Sequence, residues 1–219
     1  MKQYISYSEL ALLERDKDEY YRVYIKGEEQ EENEAMKVGK IIHKTIEDSR
    51  YDWLKELREM GFTAKRLIPI RKALNKLETK KMPEREVGYR AKLNDINLFC
   101  VFDGFDKENK AICDYKTSID GNLWNQKMVD FNKQLSFYAL AWHLNTHGFF
   151  KEMILYAVDL DRGNVKTFKT ARGVKDIFDA RRWVEGLVNE IKRAGLWEKR
   201  LTREERSQIK LQINEKEKI

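Results

Sequence analysis

The tetrapeptide Asp114-Tyr115-Lys116-Thr117 holds the residues of this chain best suited to chemistry. Asp114 and Lys116 are two apart, so on a β-strand they project from one face. Eleven residues upstream of Asp114 stands Asp103, in Phe102-Asp103-Gly104-Phe105-Asp106. The polar segment 106–110 reads as a turn, across which the runs 96–102 and 111–116 pair as a hairpin. The two carboxylates then lie on neighbouring strands. Held that close they repel unless a cation joins them, and oxygen donors of this kind suit Mg²⁺ or Mn²⁺. That is an arrangement for metal-assisted phosphodiester cleavage: the phosphate is polarised, a water is made more acidic and the leaving oxygen is stabilised. Lys116 can orient the nucleophile or offset the developing charge. The bland alternative is a solvated strand face, the usual setting of a lone Asp-x-Lys. Against it stands the apolar run Ala111-Ile112-Cys113, which predicts a buried strand where an unpaired charge is costly.

These strands need elements to position them. Ser6-Tyr7-Ser8-Glu9-Leu10 reads as a helix start, capped by Ser6 or Ser8, with Leu10, Leu12 and Leu13 opening an apolar stripe. Segment 28–34 is acidic and reads as a loop or a solvated helix end. One long helix is predicted over 35–60, with Met36, Gly39, His43, Ile46 and Glu47 near one face. Segment 64–81 carries Lys65, Arg66, Arg71, Lys72, Lys76, Lys80 and Lys81 against Glu78 alone, with Leu67, Ile70, Leu74 and Leu77 at helical spacing. It is an amphipathic basic helix, either an ordinary surface helix or one that contacts phosphates. From Glu86 the period drops to two: Val87, Tyr89, Ala91 and Leu93 alternate with Glu86, Gly88, Arg90 and Lys92, the mark of a half-buried strand. Beyond the hairpin the pattern predicts a helix over 130–144 and strands over 153–159 and 165–170, joined at Asp161-Arg162-Gly163-Asn164. A helix over 173–193 and a highly charged tail from 200 complete the chain. No repeat or linker divides it, so a single domain is expected: a helical N-terminal part (1–83), a core (84–195) and a charged tail (196–219). The order is that of a mixed α/β fold with a helical N-terminal elaboration.

Of the 219 residues, 42% are hydrophobic and 11% aromatic, enough for a real core, while 37% are charged, above the usual quarter. A net charge of +6 is compatible with a polyanionic partner without requiring one. Cys100 and Cys113 are the only cysteines, and no CxxC pair or Cys/His cluster occurs. Structural zinc and a disulfide framework are therefore not expected, and buried thiols in a reducing cytoplasm are. No apolar run approaches the ~18 residues of a membrane span, and Met1-Lys2-Gln3-Tyr4 opens no signal peptide. The expectation is a cytoplasmic protein with no membrane partner.

Together these motifs resemble the RecB-like nucleases of the PD-(D/E)XK, or restriction-endonuclease-like, superfamily, roughly over 4–193. Ser6-Tyr7-Ser8-Glu9-Leu10 is similar to the family's opening Ser-x-Ser-x-Leu. Gly39-Lys40-Ile41-Ile42-His43 followed by Glu47 looks like its Gly-x-x-x-His-x-x-x-Glu helix. Asp103-Gly104-Phe105-Asp106 stands where its second-strand aspartate lies. Asp114-Tyr115-Lys116-Thr117 matches its Asp-Tyr-Lys-Thr signature, and Gln134-Leu135 with Tyr138 matches its Gln-Leu-x-x-Tyr helix. Each is weak alone; five in order are specific. The resemblance implies a central mixed sheet flanked by helices. It implies that His43, Asp103, Asp114 and the Tyr115 carbonyl bind Mg²⁺ or Mn²⁺, and that Lys116 is the catalytic lysine. Gln134 and Tyr138, one helical turn apart, would line the site and contact DNA or support Lys116; simple helix packing is the alternative for both. Glu86 reads as a further acidic ligand, a group behind the ligands or a surface charge.

The chain departs from the family in its cysteines and in the turn between Asp103 and Asp114, which is shorter than in the helicase-linked nucleases. Members of the CRISPR-adaptation type hold a four-iron cluster on one N-terminal and three C-terminal cysteines, whereas here Glu14-Arg15-Asp16-Lys17-Asp18 replaces the usual Cys-Pro. No iron–sulfur cluster is expected. No helicase motif is present, so any helicase or recombination partner is a separate chain. The implied function is a divalent-metal-dependent deoxyribonuclease, an exonuclease on DNA ends or single strands in recombination, repair or phage DNA processing. Lys65, Arg66, Arg71, Lys72 and Lys76 would hold backbone phosphates. Two alternatives stay open: a non-catalytic nucleic-acid-binding or scaffolding protein, and a nuclease for RNA or branched DNA.

Overall fold

The computed structural model describes residues 4–30, 32–118, 124–202 and 204–208. The period-two segment becomes β2 (Glu84–Leu93), which turns into β3 (Ile96–Asp106) and then β4 (Ala111–Ser118). β2 and β3 pair antiparallel from Glu84 opposite Phe105 to Leu93 opposite Ile96. β4 is antiparallel to β3 only over Gly104–Asp106. β5 (Glu152–Asp159) runs parallel to β4, and β6 (Asn164–Thr170) returns antiparallel to β5. A two-residue strand that the sequence pattern did not predict, β1 (Tyr4–Ile5), joins the same sheet parallel to β3 at Asn97 and Leu98. The result is the expected mixed sheet, built of six strands.

Helices cover both faces. On one side lie α1 (Tyr7–Arg15), the short α2 (Lys17–Tyr20), and, later in the chain, two long helices over Lys133–Thr146 and Val174–Arg193. Leu10, Leu13, Leu135, Phe137, Leu140, Val184 and Val188 there meet Leu98, Phe102, Ile112, Met153 and Leu155 of the sheet. On the other side α3 (Glu34–Glu47), α4 (Trp53–Glu59) and α5 (Ala64–Glu78) bury Val38, Ile42, Leu57, Ile70 and Leu77 against Cys113, Tyr115, Ile154, Tyr156 and Val158. Each such side chain stabilises the fold by about 1.5–3 kcal/mol relative to leaving it in water. The short α6 (Gln126–Asp130) precedes α7 (Lys133–Thr146), and α8 (Val174–Arg193) closes the core.

Strand alternation fixes where the chemistry points. Ile112 faces the α7 layer and Cys113 and Tyr115 face the α3 layer, so Asp114 and Lys116 project to the α7 side. The predicted helix over 35–60 is in fact two. The Asp48 side chain accepts the Arg50 N–H at 2.9 Å beyond the end of α3, and Asp52 accepts the Lys55 N–H at 3.1 Å to start α4. Such local side-chain bonds compete with a continuous helix. Of the residues that spacing puts near one face, Met36 is 38% exposed and Ile46 is buried; Val38, Ile41, Ile42 and Ile46 form the buried stripe. The helix expected from 130 begins at Lys133, because Asn132 caps it by accepting the Leu135 N–H at 2.9 Å. In the charged tail, Arg200 is buried, 204–208 are helical, and 203 and 209–219 lie outside the described residues.

Candidate active site

β2 follows one edge of β3 along its length, so β1 at residues 97–98 and β4 at 104–106 must share the other edge. Between them, 99–103 has no strand on that side among the described residues. This leaves a fork in the sheet. Asp103 stands at its closed end, next to the last bridge of the ladder, Gly104 opposite Cys113. Asp114 is the first residue of β4 past that bridge. Asp103 Oδ2 accepts the Tyr115 N–H at 2.7 Å, so a side chain takes the place of a ladder carbonyl. Gly104 permits the close approach below the fork: a Cβ there would lie 2.5 Å from Cys113 Sγ.

His43 arrives from the α3 layer. A Cβ on Gly39 would lie 2.9 Å from Thr117 Oγ1, so glycine lets α3 approach β4 one turn before the histidine. His43 Nε2 is 3.1 Å from the Tyr115 carbonyl oxygen and Nδ1 is 3.6 Å from Asp103 Oδ1. Burial, reinforced by the charge of Lys116, lowers the His43 pKa and favours the neutral ring. If Nε2–H donates to the Tyr115 carbonyl, the Nδ1 lone pair faces the Asp103 carboxylate, two electron-pair donors with room for a cation between them.

Glu86 is part of this cluster rather than a plain surface charge. Bridges at Arg85–Gly104 and Val87–Phe102 set it opposite Asp103. Its φ is 49°, in the left-handed region that non-glycine residues seldom adopt. Ligand atoms of His43, Glu86 and Asp103 lie within 4.8 Å of one another. The signal was present in the sequence: a short β2–β3 turn that places Leu93 opposite Ile96 also places residue 86 opposite residue 103. Burial and the charges of Glu47 and Asp114 raise the Glu86 pKa.

Asp114 lies outside that trio's group of ligand atoms and faces Lys116. It is 1% exposed. Lys116 Nζ lies 2.8 Å from its Oδ2, yet neither carboxylate oxygen has a well-directed hydrogen bond. Burial pulls the Lys116 pKa down, but the Asp114 and Asp103 charges outweigh it and hold the ammonium above the ordinary lysine value. Asp103 is pushed well above the carboxylate range by burial and then by the like charge of Asp114.

Over the fork, Gln134 donates through Nε2 to the Tyr138 hydroxyl. Tyr138 is buried and edge-on to Phe102, ring centres 5.2 Å apart. Burial and the Asp114 and Asp103 charges raise its pKa. Tyr7, which the sequence marked only as part of a helix start, also feels Lys116 and Asp114 after its burial. It packs between Phe137 and Trp183, at ring distances of 6.3 and 5.9 Å.

The basic helix α5 is partly occupied within the chain. Lys72 donates to the Arg162 carbonyl at 3.4 Å, and Lys76 to the Gly163 carbonyl at 3.0 Å and Asn164 Oδ1 at 3.2 Å. Both pin the β5–β6 turn. Arg66 pairs with Glu34 and lies 3.8 Å over the Phe62 ring. Lys65 and Arg71 are exposed.

No protein-family model matches this chain, and no curated protein matches it. Among solved structures it is similar to the crystal structure of a "Putative exonuclease" from Eubacterium rectale. Identity is 18% over 89% of this chain and 83% of that one, with a TM-score of 0.66. At that identity the likeness shows a shared α/β fold. A second similar structure, that of SSO0001, is 14% identical over 81% of this chain and 84% of that one, with a TM-score of 0.38. No helix among the described residues is long and apolar enough to cross a membrane.

Proposed function

We propose that this chain is a divalent-metal-dependent deoxyribonuclease, an exonuclease acting at DNA ends or on single strands. The observation that carries the reading is the Asp114 carboxylate, 1% exposed, paired with the Lys116 ammonium at 2.8 Å but without a well-directed hydrogen bond, in a fork shared with Asp103 and His43. Two carboxylates this close carry more negative charge than one ammonium offsets, and oxygen donors with one imidazole suit Mg²⁺ or Mn²⁺. Asp103, Asp114, the Tyr115 carbonyl and His43 would hold the ion, with Glu86 beside them. Bound there, it supplies Lewis-acid polarisation of a phosphate and acidifies a water.

The chain's own groups do the rest. Lys116 stays an ammonium and offsets the negative charge that grows on the phosphate oxygens. Asp114 holds that ammonium on the α7 side of the sheet. Gln134 and Tyr138 form a polar pair over the fork that orients the strand. Lys65 and Arg71 contact backbone phosphates without reading sequence; Arg66, Lys72 and Lys76 also serve the chain's own packing. The name of the Eubacterium rectale structure agrees with this reading. Recombination, repair or phage DNA processing in the cytoplasm are the settings such an activity serves, with any helicase on another chain.

The test is incubation with end-labelled single-stranded, duplex, circular and RNA substrates in Mg²⁺, Mn²⁺ or EDTA. Linear DNA should shorten from its ends only when metal is present. Preferential cutting of RNA or of branched DNA would move the substrate class. No cleavage of any substrate would leave a nucleic-acid-binding or scaffolding protein.

A further inference from the structure

The connection between α6 and α7 presents one exposed ring on a firmly held backbone. Phe131 is 76% exposed, more than any other large hydrophobic residue among those described. Arg172, itself 4% exposed, donates through Nη2 to the Val129 carbonyl at 2.9 Å and the Asn132 carbonyl at 3.3 Å, and through Nε to Ser136 Oγ at 2.8 Å. The two carbonyls lie on either side of Phe131. A buried guanidinium is tolerated only when its donors are used in this way. Three residues beyond Phe131, in the first turn of α7, Gln134 begins the pair that overhangs the fork.

The same arginine joins this loop to the first turns of α8, where Val174 and Phe178 are 61% and 58% exposed; Met128 on α6 is 45% exposed. Lys127, four residues before the ring, is exposed and offers a phosphate contact, while Lys133, two after it, is held by Glu14 at 2.6 Å. The nearby acids are occupied: Asp130 accepts from Gln126 and Thr170, and Asp176 accepts the Gly173 N–H. We propose that Phe131 is a base-stacking platform for an unpaired segment of the nucleic acid whose scissile phosphate enters the Asp103–Asp114 fork. The inference rests on the nuclease reading and adds a substrate class to it: strands with unpaired bases. Every base offers a ring face, so such a contact needs no sequence, whereas bases inside a duplex are already stacked on their neighbours.

Wild type, Phe131→Ala and Phe131→Trp are to be compared for binding to a labelled single-stranded DNA and to a blunt duplex, with Ca²⁺ replacing Mg²⁺ and DNA integrity checked on gels. Phe131→Ala should keep the wild-type melting temperature, weaken single-strand binding about tenfold or more, and change duplex binding less than about twofold, while Phe131→Trp keeps wild-type affinity. An abasic site walked along the strand should weaken wild type at one position and add nothing there to Phe131→Ala, the coupling expected of two groups in contact. Equal losses on single strand and duplex, or no abasic position coupled to Phe131, would overturn the platform. So would a change in self-association on Phe131→Ala with oligonucleotide binding untouched, which would assign the ring to a protein contact. If wild type cuts nothing with Mg²⁺ or Mn²⁺ while the abasic coupling persists, the nuclease reading falls and the platform stands.

Discussion

Two buried carboxylates among the described residues, Glu9 and Asp114, are each paired with a base, and the two pairs are built differently. Glu9 and Arg200 are each 4% exposed. Arg200 Nε reaches Glu9 Oε1 at 2.6 Å and Nη2 reaches Oε2 at 3.4 Å; Nη2 also donates to the Tyr4 carbonyl at 2.8 Å. The Tyr20 hydroxyl adds a third bond to Glu9, and the Trp197 ring lies 4.3 Å from the guanidinium carbon. Burial raises the Glu9 pKa, and Arg200 offsets that only in part. Asp114, more deeply buried still, has one ammonium at 2.8 Å and no well-directed hydrogen bond. In the first pair the chain saturates the carboxylate and ties residue 200 to β1 and α1. The second keeps unused acceptor capacity at a gap in the sheet. Burial alone does not separate a structural pair from a functional one; the degree of saturation does.

The sharpest way to break this comparison is to remove Arg200. Arg200→Ala leaves Glu9 buried and uncompensated, and should destabilise the fold by about 3–5 kcal/mol in urea denaturation. Replacing both partners together, Glu9→Met with Arg200→Met, should recover most of that loss, since an apolar pair of similar volume is often neutral or better. A cost below about 1 kcal/mol for Arg200→Ala would mean that the clasp carries no structural load.

Lys116→Ala tests the other pair. Cleavage should fall about 10²–10³-fold, the size of effect seen when one transition-state donor is lost, with metal and DNA still bound and the metal-loaded fold intact. Asp114→Ala should instead weaken metal binding in calorimetry, with excess Mn²⁺ restoring a trace of activity. No apolar double replacement should rescue this pair. Wild-type cleavage by Lys116→Ala in Mg²⁺ would show that the fork is not the site.

What the sequence made legible follows from periodicity and from strand geometry. The alternation from Val87 to Leu93 and the hairpin around 106–110 were readable because each side chain must face the core or water. That the side chains of Asp114 and Lys116 meet follows from their spacing of two. The N-terminal strand was not readable: Tyr4 and Ile5 are too few to show a period, and only the long-range pairing with Asn97 and Leu98 makes them a strand. The break at 48–52 was hidden because its cause is local side-chain hydrogen bonding, not loss of apolar spacing. Glu86 was undervalued because its position depends on register, and Tyr7 because its neighbours lie more than a hundred residues away. Lys72 and Lys76 looked free on a basic helix, but their partners are carbonyls of a distant turn, which composition cannot show.

A smaller effect should come from Gly39, where the site pair depends on how closely two elements approach. In Gly39→Ala the added methyl meets Thr117 Oγ1 at 2.9 Å, so either Thr117 turns about χ1 or α3 retreats from β4 and carries His43 with it. Overpacking of this kind costs about 1–3 kcal/mol, and metal affinity should fall with it. Thr117→Ala, which removes the obstructing oxygen, should restore both. Rescue of stability without rescue of metal affinity would separate His43 from metal binding.

The smallest effect is the most specific, because it reads the charge left unsaturated in the fork. Asp103 has its folded pKa raised above the ordinary value by burial and by Asp114. A carboxyl raised in this way stabilises the fold while it is protonated, and that contribution is lost as pH climbs from the unfolded value near ~3.9 through the higher folded one. Asp103→Asn mimics the protonated acid and keeps an oxygen to accept the Tyr115 N–H. In EDTA the variant should therefore match wild type at about pH 4 and become progressively more stable than wild type as pH rises towards the folded pKa, by about 1.4 kcal/mol for each pH unit crossed. Adding Mg²⁺ should narrow the difference, since the cation then compensates the ionised acid in wild type alone. Thermal melts of both proteins across that range, with and without metal, measure it. Parallel curves would mean that the fork compensates ionised Asp103 without metal, and the reading of the fork as an unsaturated site would fall.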